Sequence, residues 1–200
     1  MTETLFEQLK HPNPHLRDRA MWELAENRDE ITIPRLIGIL DEEDTTYRRA
    51  AVKALGAIGH DTVPSLVEAL IHSDNVTVRG SAAKAIAQVV INHPETSLSD
   101  EGIQGLKTAL DDPNPVVHIA AVMALGEMGP SAFDILSETL HNTDNPALGV
   151  SLVNALASIG DSRGVEVLEA IASDESTDSY VRESAVSALS RLEMTKNFQR

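Results

Sequence analysis

The chain has 200 residues, of which 42% are apolar, so it is long enough to bury a substantial core. Its net charge of −15 repels phosphate backbones and argues against nucleic acid as a partner, and its three Phe, two Tyr and one Trp disfavour a sheet-based core. The chain contains no cysteine, which excludes a disulfide framework, a thiolate nucleophile and a Cys-ligated metal, and this favours a reducing compartment.

No signal-like start and no run of about 18 apolar residues is present, so we expect a cytoplasmic protein without membrane insertion.

One helical pattern recurs along the chain. It reads HLRDRAMWELAEN at 15–27, YRRAAVKALGAIG at 47–59, VRGSAAKAIAQVV at 78–90, VHIAAVMALGEMG at 117–129 and VRESAVSALSRLE at 181–193. One position near its start, here called the anchor, is occupied by Arg17, Arg48, Arg79, His118, Gly149 and Arg182. Successive anchors are 31, 31, 39, 31 and 33 residues apart. A period this regular predicts a solenoid of stacked repeats.

The first five of the six repeated helices each follow a shorter segment with two leucines spaced by four. These pairs are Leu5 and Leu9, Leu36 and Leu40, Leu66 and Leu70, Leu106 and Leu110, and Leu136 and Leu140. Asn-Pro pairs at 13–14, 114–115 and 145–146 predict N-caps followed by Pro at the first helical position. Gly59, Gly129 and Gly160 are predicted to close the longer helices.

The pattern predicts an all-α fold, an α-solenoid of about six helical hairpins without a sheet, forming a single domain over 1–200. The hairpins are predicted at about 2–30, 31–61, 62–100, 101–130, 131–162 and 163–194, with a short C-terminal tail at 195–200.

The repeated motif (V/Y)R..AA.ALG.(I/M)G resembles the HEAT-like repeat of phycobilisome lyases, and the resemblance covers the whole chain. The length, the absence of Cys and the divergent first repeat make the chain similar to the smaller, F-type subunit of heterodimeric E/F phycocyanobilin lyases. The resemblance implies attachment of phycocyanobilin, a linear tetrapyrrole, to a cysteine of the phycocyanin α-subunit together with an E-type partner. The pigment is then a substrate, and the resemblance implies no tightly bound cofactor.

Positions one and five after each anchor are predicted to project outward from the long helices, and we call them the outward row. They are Asp18 and Trp22, Arg49 and Lys53, Gly80 and Lys84, Ile119 and Met123, Val150 and Asn154, and Glu183 and Ser187. The row places Trp22 near Arg49, Lys53 and Lys84, which together fit a pigment that carries two propionates on an apolar body. These four residues are the predicted pigment-binding residues.

A partner contact is predicted at Ile119, Met123 and Val150, which are apolar at positions where solvent favours polar side chains, together with Met21 of the atypical first repeat. The alternative is that neighbouring repeats cover these side chains. The anchor arginines are expected instead to bond turn carbonyls or acidic turn residues.

No catalytic residue or metal site is predicted. No His-Glu dipeptide of the di-iron type occurs, and His11 and His15 read as loop residues rather than as metal ligands. His11, His72 and His141 recur near the ends of first helices, where a polar residue suits the helix C-terminus, although proton transfer remains an alternative.

Three loop segments leave alternatives open. The acidic stretches at 41–44 and 173–178 are either solvated loops or docking sites for a basic partner, and the insertion at 90–102 is either a spacer or a binding element. The alternative to a lyase subunit is a non-catalytic scaffold or chaperone that binds phycobiliproteins during assembly or degradation.

Overall fold

The computed structural model describes residues 2–198, with side chains described for residues 3–194. This part of the chain forms α-helices and short 3₁₀ turns and contains no β-strand, so the prediction of an all-α repeat fold is confirmed. The helices are α1 (Thr2–Gln8), α2 (Pro14–Glu26), α3 (Thr32–Gly38), α4 (Thr45–Ile58), α5 (Val63–His72), α6 (Val76–Asn92), α7 (Asp100–Ala109), α8 (Pro115–Glu127), α9 (Phe133–Asn142), α10 (Pro146–Ile159), α11 (Arg163–Ser173) and α12 (Ser179–Phe198).

The sequence predicted one domain, and by internal packing the chain forms two compact units that divide between Ala124 and Leu125. In the first unit the long helices α2, α4 and α6 pack in succession, as do the shorter helices α3, α5 and α7. In the second unit α9 packs on α10, and α12 packs on both α10 and α11. Each unit is therefore a stack of helical hairpins.

The core of each unit consists of the predicted leucine pairs and the alanines that face them. All ten leucines of those pairs are buried, as are Ala51, Ala54, Ala82, Ala83 and Ala85 of α4 and α6. Alanine at these positions allows two long helices to approach closely, and Gly56 allows α4 to contact Gln88 of α6. Small residues thus determine which face of each long helix meets its neighbour.

The predicted helix ends are also observed. The side chains of Asn13, Asn114 and Asn145 accept hydrogen bonds from the backbone two residues later, at 3.0 Å in each case. Gly59 and Gly160 follow the last turns of α4 and α10 with φ of 91° and 71°, a region that L-residues rarely adopt.

Two segments differ from a simple repeat. The insertion is partly helical, since α6 continues to Asn92, and its Leu98 is buried. The predicted tail at 195–200 is helical as far as Phe198, and its last two residues lie outside the described range. No helix in the described part of the chain is long and apolar enough to span a membrane.

Candidate functional site

A groove between α2 and α4 contains three cations of the first unit, Arg17, Arg49 and Lys53. It has a volume of about 300 Å³. Its lining residues are Pro14, Arg17, Asp18, Met21, Thr46, Arg49, Ala50 and Lys53. The groove thus joins two of the predicted pigment-binding residues, Arg49 and Lys53, to neighbours that the sequence did not assign to a site.

The cations of the groove differ in whether they already bond another group of the chain. The guanidinium of Arg17 donates to the carbonyl oxygens of His11 and Pro12, at 2.6 and 2.9 Å. The Nζ of Lys53 lies 3.3 Å from Oδ1 of Asp18, and both side chains are about half exposed. Arg49 is exposed. A carboxylate ligand can therefore reach Arg49 directly and can compete with Asp18 for Lys53.

The floor of the groove is apolar. Met21 is only 8% exposed and lies with Ala50 between α2 and α4. The sequence predicted Met21 as part of a partner contact; within this chain its side chain packs between α2 and α4, and its role in a partner contact stays a prediction. A groove with an apolar floor and cations along its wall suits an elongated apolar molecule that carries carboxylates.

The other two predicted pigment-binding residues lie outside the groove. Trp22 is 48% exposed on α2, and Lys84 is exposed on α6. Gly80, which the sequence placed on the outward row, is buried, because Val116 packs 3.1 Å from the position that a Cβ would occupy. The structure thus brings Arg49 and Lys53 together and leaves Trp22 and Lys84 as separate surface positions.

The remaining predicted partner residues differ in exposure. Met123 is 57% exposed and Ile119 is half-buried on the same helix, α8. Val150 is half-buried on α10 of the second unit. Met123 is therefore the main exposed apolar side chain of this set.

The anchor arginines bond turn carbonyls in the three repeats of the first unit that carry them, as the sequence predicted. Besides Arg17, Arg48 donates to the carbonyl of Glu42, and Arg79 donates to the carbonyl of Ser73 at 2.9 Å. At Arg182, the anchor of the last repeat, the Nε is buried and has no hydrogen-bond partner. The arginine position thus stabilises the turn between the two helices of a hairpin.

Two of the recurring histidines, His11 and His141, contact backbone atoms of their own turns. Nδ1 of His11 accepts a hydrogen bond from the backbone of Asn13, and Nδ1 of His141 lies 2.7 Å from the carbonyl of Ser137. His118 replaces an anchor arginine and is 3% exposed, and its burial was not foreseen from sequence. Among the described residues, no three His, Asp or Glu side chains approach closely enough to hold a metal ion.

Comparison with known proteins identifies the repeat and its relatives. A family model described as HEAT repeats matches residues 2–87 and 103–190, and the interval between the matches contains the predicted insertion at 90–102. The chain is 65% identical over 198 residues to the phycocyanin operon protein Z of Pseudanabaena tenuis (strain PCC 7409), covering 99% of this chain and 98% of that protein. It is 34% identical over 174 residues to the bilin biosynthesis protein CpeZ of Synechococcus sp. (strain WH8020), covering 84% and 93%.

Solved structures agree on the fold. The complex of CpcE and CpcF of the phycocyanin lyase from Nostoc sp. PCC7120 matches with a TM-score of 0.52 and 19% identity, over 77% of this chain and 96% of that chain. The karyopherin Kap121p matches with a TM-score of 0.58 and 16% identity, over 96% of this chain and 23% of that chain. Since these identities are low, the likeness concerns the helical repeat fold. Together with the two sequence relatives and the family model, it establishes that the chain is a HEAT-repeat protein of the family that includes the phycocyanin operon protein Z and the bilin biosynthesis protein CpeZ.

Proposed function

We propose that this chain is a subunit of a bilin lyase that attaches phycocyanobilin through a thioether to a cysteine of the phycocyanin α-subunit, acting with an E-type HEAT-repeat partner. Relatives named for bilin biosynthesis and for a phycocyanin operon support the pigment and acceptor classes. The likeness of fold to a CpcE–CpcF complex supports a partner of the same architecture. The F-type assignment is part of this proposal.

The observation that carries the proposal is the groove between α2 and α4. It offers Arg49 and Lys53 beside the apolar Met21 in a chain whose net charge is −15. A strongly acidic protein repels a dianionic pigment over most of its surface, so a local pair of cations selects where the propionates bind. Arg49 and Lys53 hold the propionates in this proposal, while the exposed Trp22 and Lys84 extend the contact beyond the groove.

In this proposal the chain contributes to the reaction by aligning the pigment with the acceptor thiol. The acceptor thiol adds to an ethylidene carbon of the pigment, so that one S–C bond forms and the thiol proton moves to the neighbouring carbon. Atoms and electrons balance without an oxidant or reductant. Because the chain has no cysteine, it cannot itself form a thioether with the pigment. Its groove orients the pigment and shields it from attack by other nucleophiles. Both effects promote the reaction without a dedicated catalytic side chain.

A second candidate is a non-catalytic chaperone that holds the pigment or the phycobiliprotein during assembly. The composition of the groove favours it, because the lining includes Arg, Lys and Asp but no His that would transfer a proton near neutral pH. The two candidates differ in whether covalent pigment appears when this chain is present.

The test is co-expression of the chain with an E-type partner, the phycocyanin α-subunit and a phycocyanobilin supply, followed by denaturing electrophoresis for covalent pigment. We expect pigment on the α-subunit only when both HEAT-repeat chains are present. The variant Arg49→Ala with Lys53→Ala should lower the yield at least fivefold, whereas Arg19→Ala with Lys107→Ala, which removes two exposed cations outside the groove, should leave it unchanged.

Equal covalent labelling with and without this chain would refute the lyase role. Unchanged covalent labelling combined with a higher yield of soluble α-subunit would favour the chaperone. Normal labelling by the groove variant would place the pigment elsewhere. Lys84→Ala alone tests whether the contact extends beyond the groove.

A further inference from the structure

One apolar position recurs in every long helix, four residues after the anchor. Its occupants are Met21, Val52, Ala83, Val122, Val153 and Val186. Ala83 and Val153 are fully buried, Met21 and Val122 are 8% and 2% exposed, and Val52 is half-buried. Val186, in the last hairpin, is 54% exposed. The position is thus apolar throughout the chain, and the last hairpin retains the apolar residue without burying it.

The face that contains this position meets the following hairpin. The residue one turn later, eight after the anchor, lies on the same side of the helix. In α4 this residue is Gly56, which contacts Gln88 of α6, and in the second unit it is Gly126, where an added Cβ would lie 3.7 Å from Ala155 of α10. The corresponding residue of α12 is the small, exposed Ser190. Val186 and Ser190 therefore repeat the pattern of a face that receives another hairpin.

The exposed sides of the first and last hairpins differ in polarity. In the first hairpin the exposed side of α1 is polar and contains Glu3, Thr4 and Glu7. At the last hairpin Met194, two turns after Val186 on the same side of α12, is 61% exposed. Because α12 continues without a break to Phe198, the described chain does not turn back over this side. Within the described residues, no helix covers this side of α12.

We infer that the side of α12 formed by Val186, Ser190 and Met194 is the docking surface for a terminal helical hairpin of a different HEAT-repeat chain, which continues the stack across the two proteins. The inference rests on the proposed function, because the different chain is the E-type HEAT-repeat partner proposed there. The occupant follows from the face itself, since the equivalent face of each earlier long helix is apolar or small and is met by a helix hairpin in this same fold.

Charge separates a different chain from a second copy. The segment from Asp161 to Met194 contains eight acidic and three basic side chains. A second copy would bring the same acidic excess to the contact and would be repelled, whereas a partner with basic residues around an apolar centre would be attracted. The surface is therefore assigned to a hetero-partner with a basic rim.

The experiment measures association of the full-length chain with the purified E-type chain, without pigment or acceptor, by light scattering and by titration at two salt concentrations. Val186→Lys should weaken association at least tenfold, and Ile31→Lys should not, because Ile31 is 61% exposed but lies in the first unit. Val186→Ala should have an intermediate effect. Circular dichroism should be unchanged in all three variants, since neither side chain is part of the core.

Association of Val186→Lys equal to the wild type would overturn the inference, and so would an absence of wild-type association at 100-fold excess of the E-type chain. A dimer of this chain alone that Val186→Lys dissociates would assign the surface to a second copy instead. Because no pigment is involved, a normal heterodimer that attaches no bilin refutes the proposed function and leaves this inference intact.

Discussion

The guanidinium of Arg79 forms a two-point ion pair with the carboxylate of Asp112, with Nε 2.7 Å from Oδ2 and Nη2 3.2 Å from Oδ1. Arg79 begins the long helix of one hairpin and Asp112 lies in the turn of the next, so the pair links two repeats. Both side chains are nearly buried, with 13% and 10% exposed. The ion pair adds to the carbonyl bond from Arg79 to Ser73, so a single arginine stabilises both its own turn and the contact between hairpins.

Arg79→Met is expected to lower the free energy of unfolding by about 1–3 kcal/mol, because it leaves the Asp112 carboxylate nearly buried without its charged partner. Arg49→Met, at an exposed arginine of the preceding long helix, should change it by less than about 0.5 kcal/mol. Urea unfolding followed by circular dichroism measures both. Equal stability of the two variants would contradict a structural role for the pair.

Asp112 should also make stability depend on pH. Partial burial acts to raise the pKa of Asp112, but the hydrogen bond from Arg79, the backbone of Asn114 and the nearby charges outweigh it, so that the pKa lies below its ordinary value. A depressed carboxylate pKa gives stability that is fully present above the unfolded-state pKa of about 4 and is lost as pH falls through the folded value.

The free energy of unfolding should therefore fall less steeply between pH 5 and pH 3 in Asp112→Asn than in the wild type. The variant should be less stable than the wild type at pH 7, and the difference should shrink toward acid pH. Urea titrations at pH 7, 5 and 3 test this. A difference that is constant across this range would mean that Asp112 does not titrate with folding.

The sequence predicted the helices because their signals are local. The leucine pairs, the Asn-Pro caps and the closing glycines each act within a turn or two, and the structure contains them where expected. The role of the anchor arginines was also predicted, since a donor at the first turn of a helix can reach the preceding turn. Periodicity in the sequence is therefore sufficient to predict features that act within one or two turns of a helix.

The site was predicted less completely because it depends on distances between helices. Periodicity placed Gly80 outward, yet Val116 of the next hairpin covers it. Lys53 was predicted as a cation on the outward row, but its pairing with Asp18 depends on how closely α2 and α4 approach. The burial of His118 likewise follows from neighbouring repeats and has no local signal in the sequence.

Asp18→Asn is expected to strengthen pigment binding. The substitution removes the carboxylate that lies 3.3 Å from Nζ of Lys53 and leaves this cation available to a propionate. Because exposed ion pairs contribute about 0.2–1 kcal/mol, the dissociation constant should fall by up to about fivefold. Absorbance titration with phycocyanobilin measures it. Glu23→Gln, which frees Arg19 outside the groove, is the matched control and should have no effect.

Ile119→Asp combined with Met123→Asp is expected to abolish or strongly weaken heterodimer formation while leaving helical content unchanged. Met123 is exposed and Ile119 half-buried, so two added carboxylates face a contact surface rather than the core. Co-purification with the E-type chain measures the effect. Wild-type recovery of the partner would remove α8 from the partner contact, whereas the Val186 variants report on the α12 surface separately.

Gly59→Ala is expected to destabilise the first unit more than Gly160→Ala destabilises the second. Both glycines have positive φ, 91° and 71°, so each substitution strains the backbone by about 1 kcal/mol or more. At Gly59 an added Cβ would also lie 2.6 Å from Nε2 of His93, whereas nothing lies within 4 Å at Gly160. His93 belongs to the insertion, and its Nε2 lies 3.3 Å from the carbonyl of Ala57, so the insertion docks on the end of α4.

Gly59→Ala should therefore increase proteolysis between residues 93 and 99, and Gly160→Ala should not. His93→Ala with Gly59→Ala should recover part of the lost stability because the clash is removed. If Gly59→Ala and Gly160→Ala are equally stable and equally resistant to proteolysis, the insertion is a spacer that does not depend on this contact.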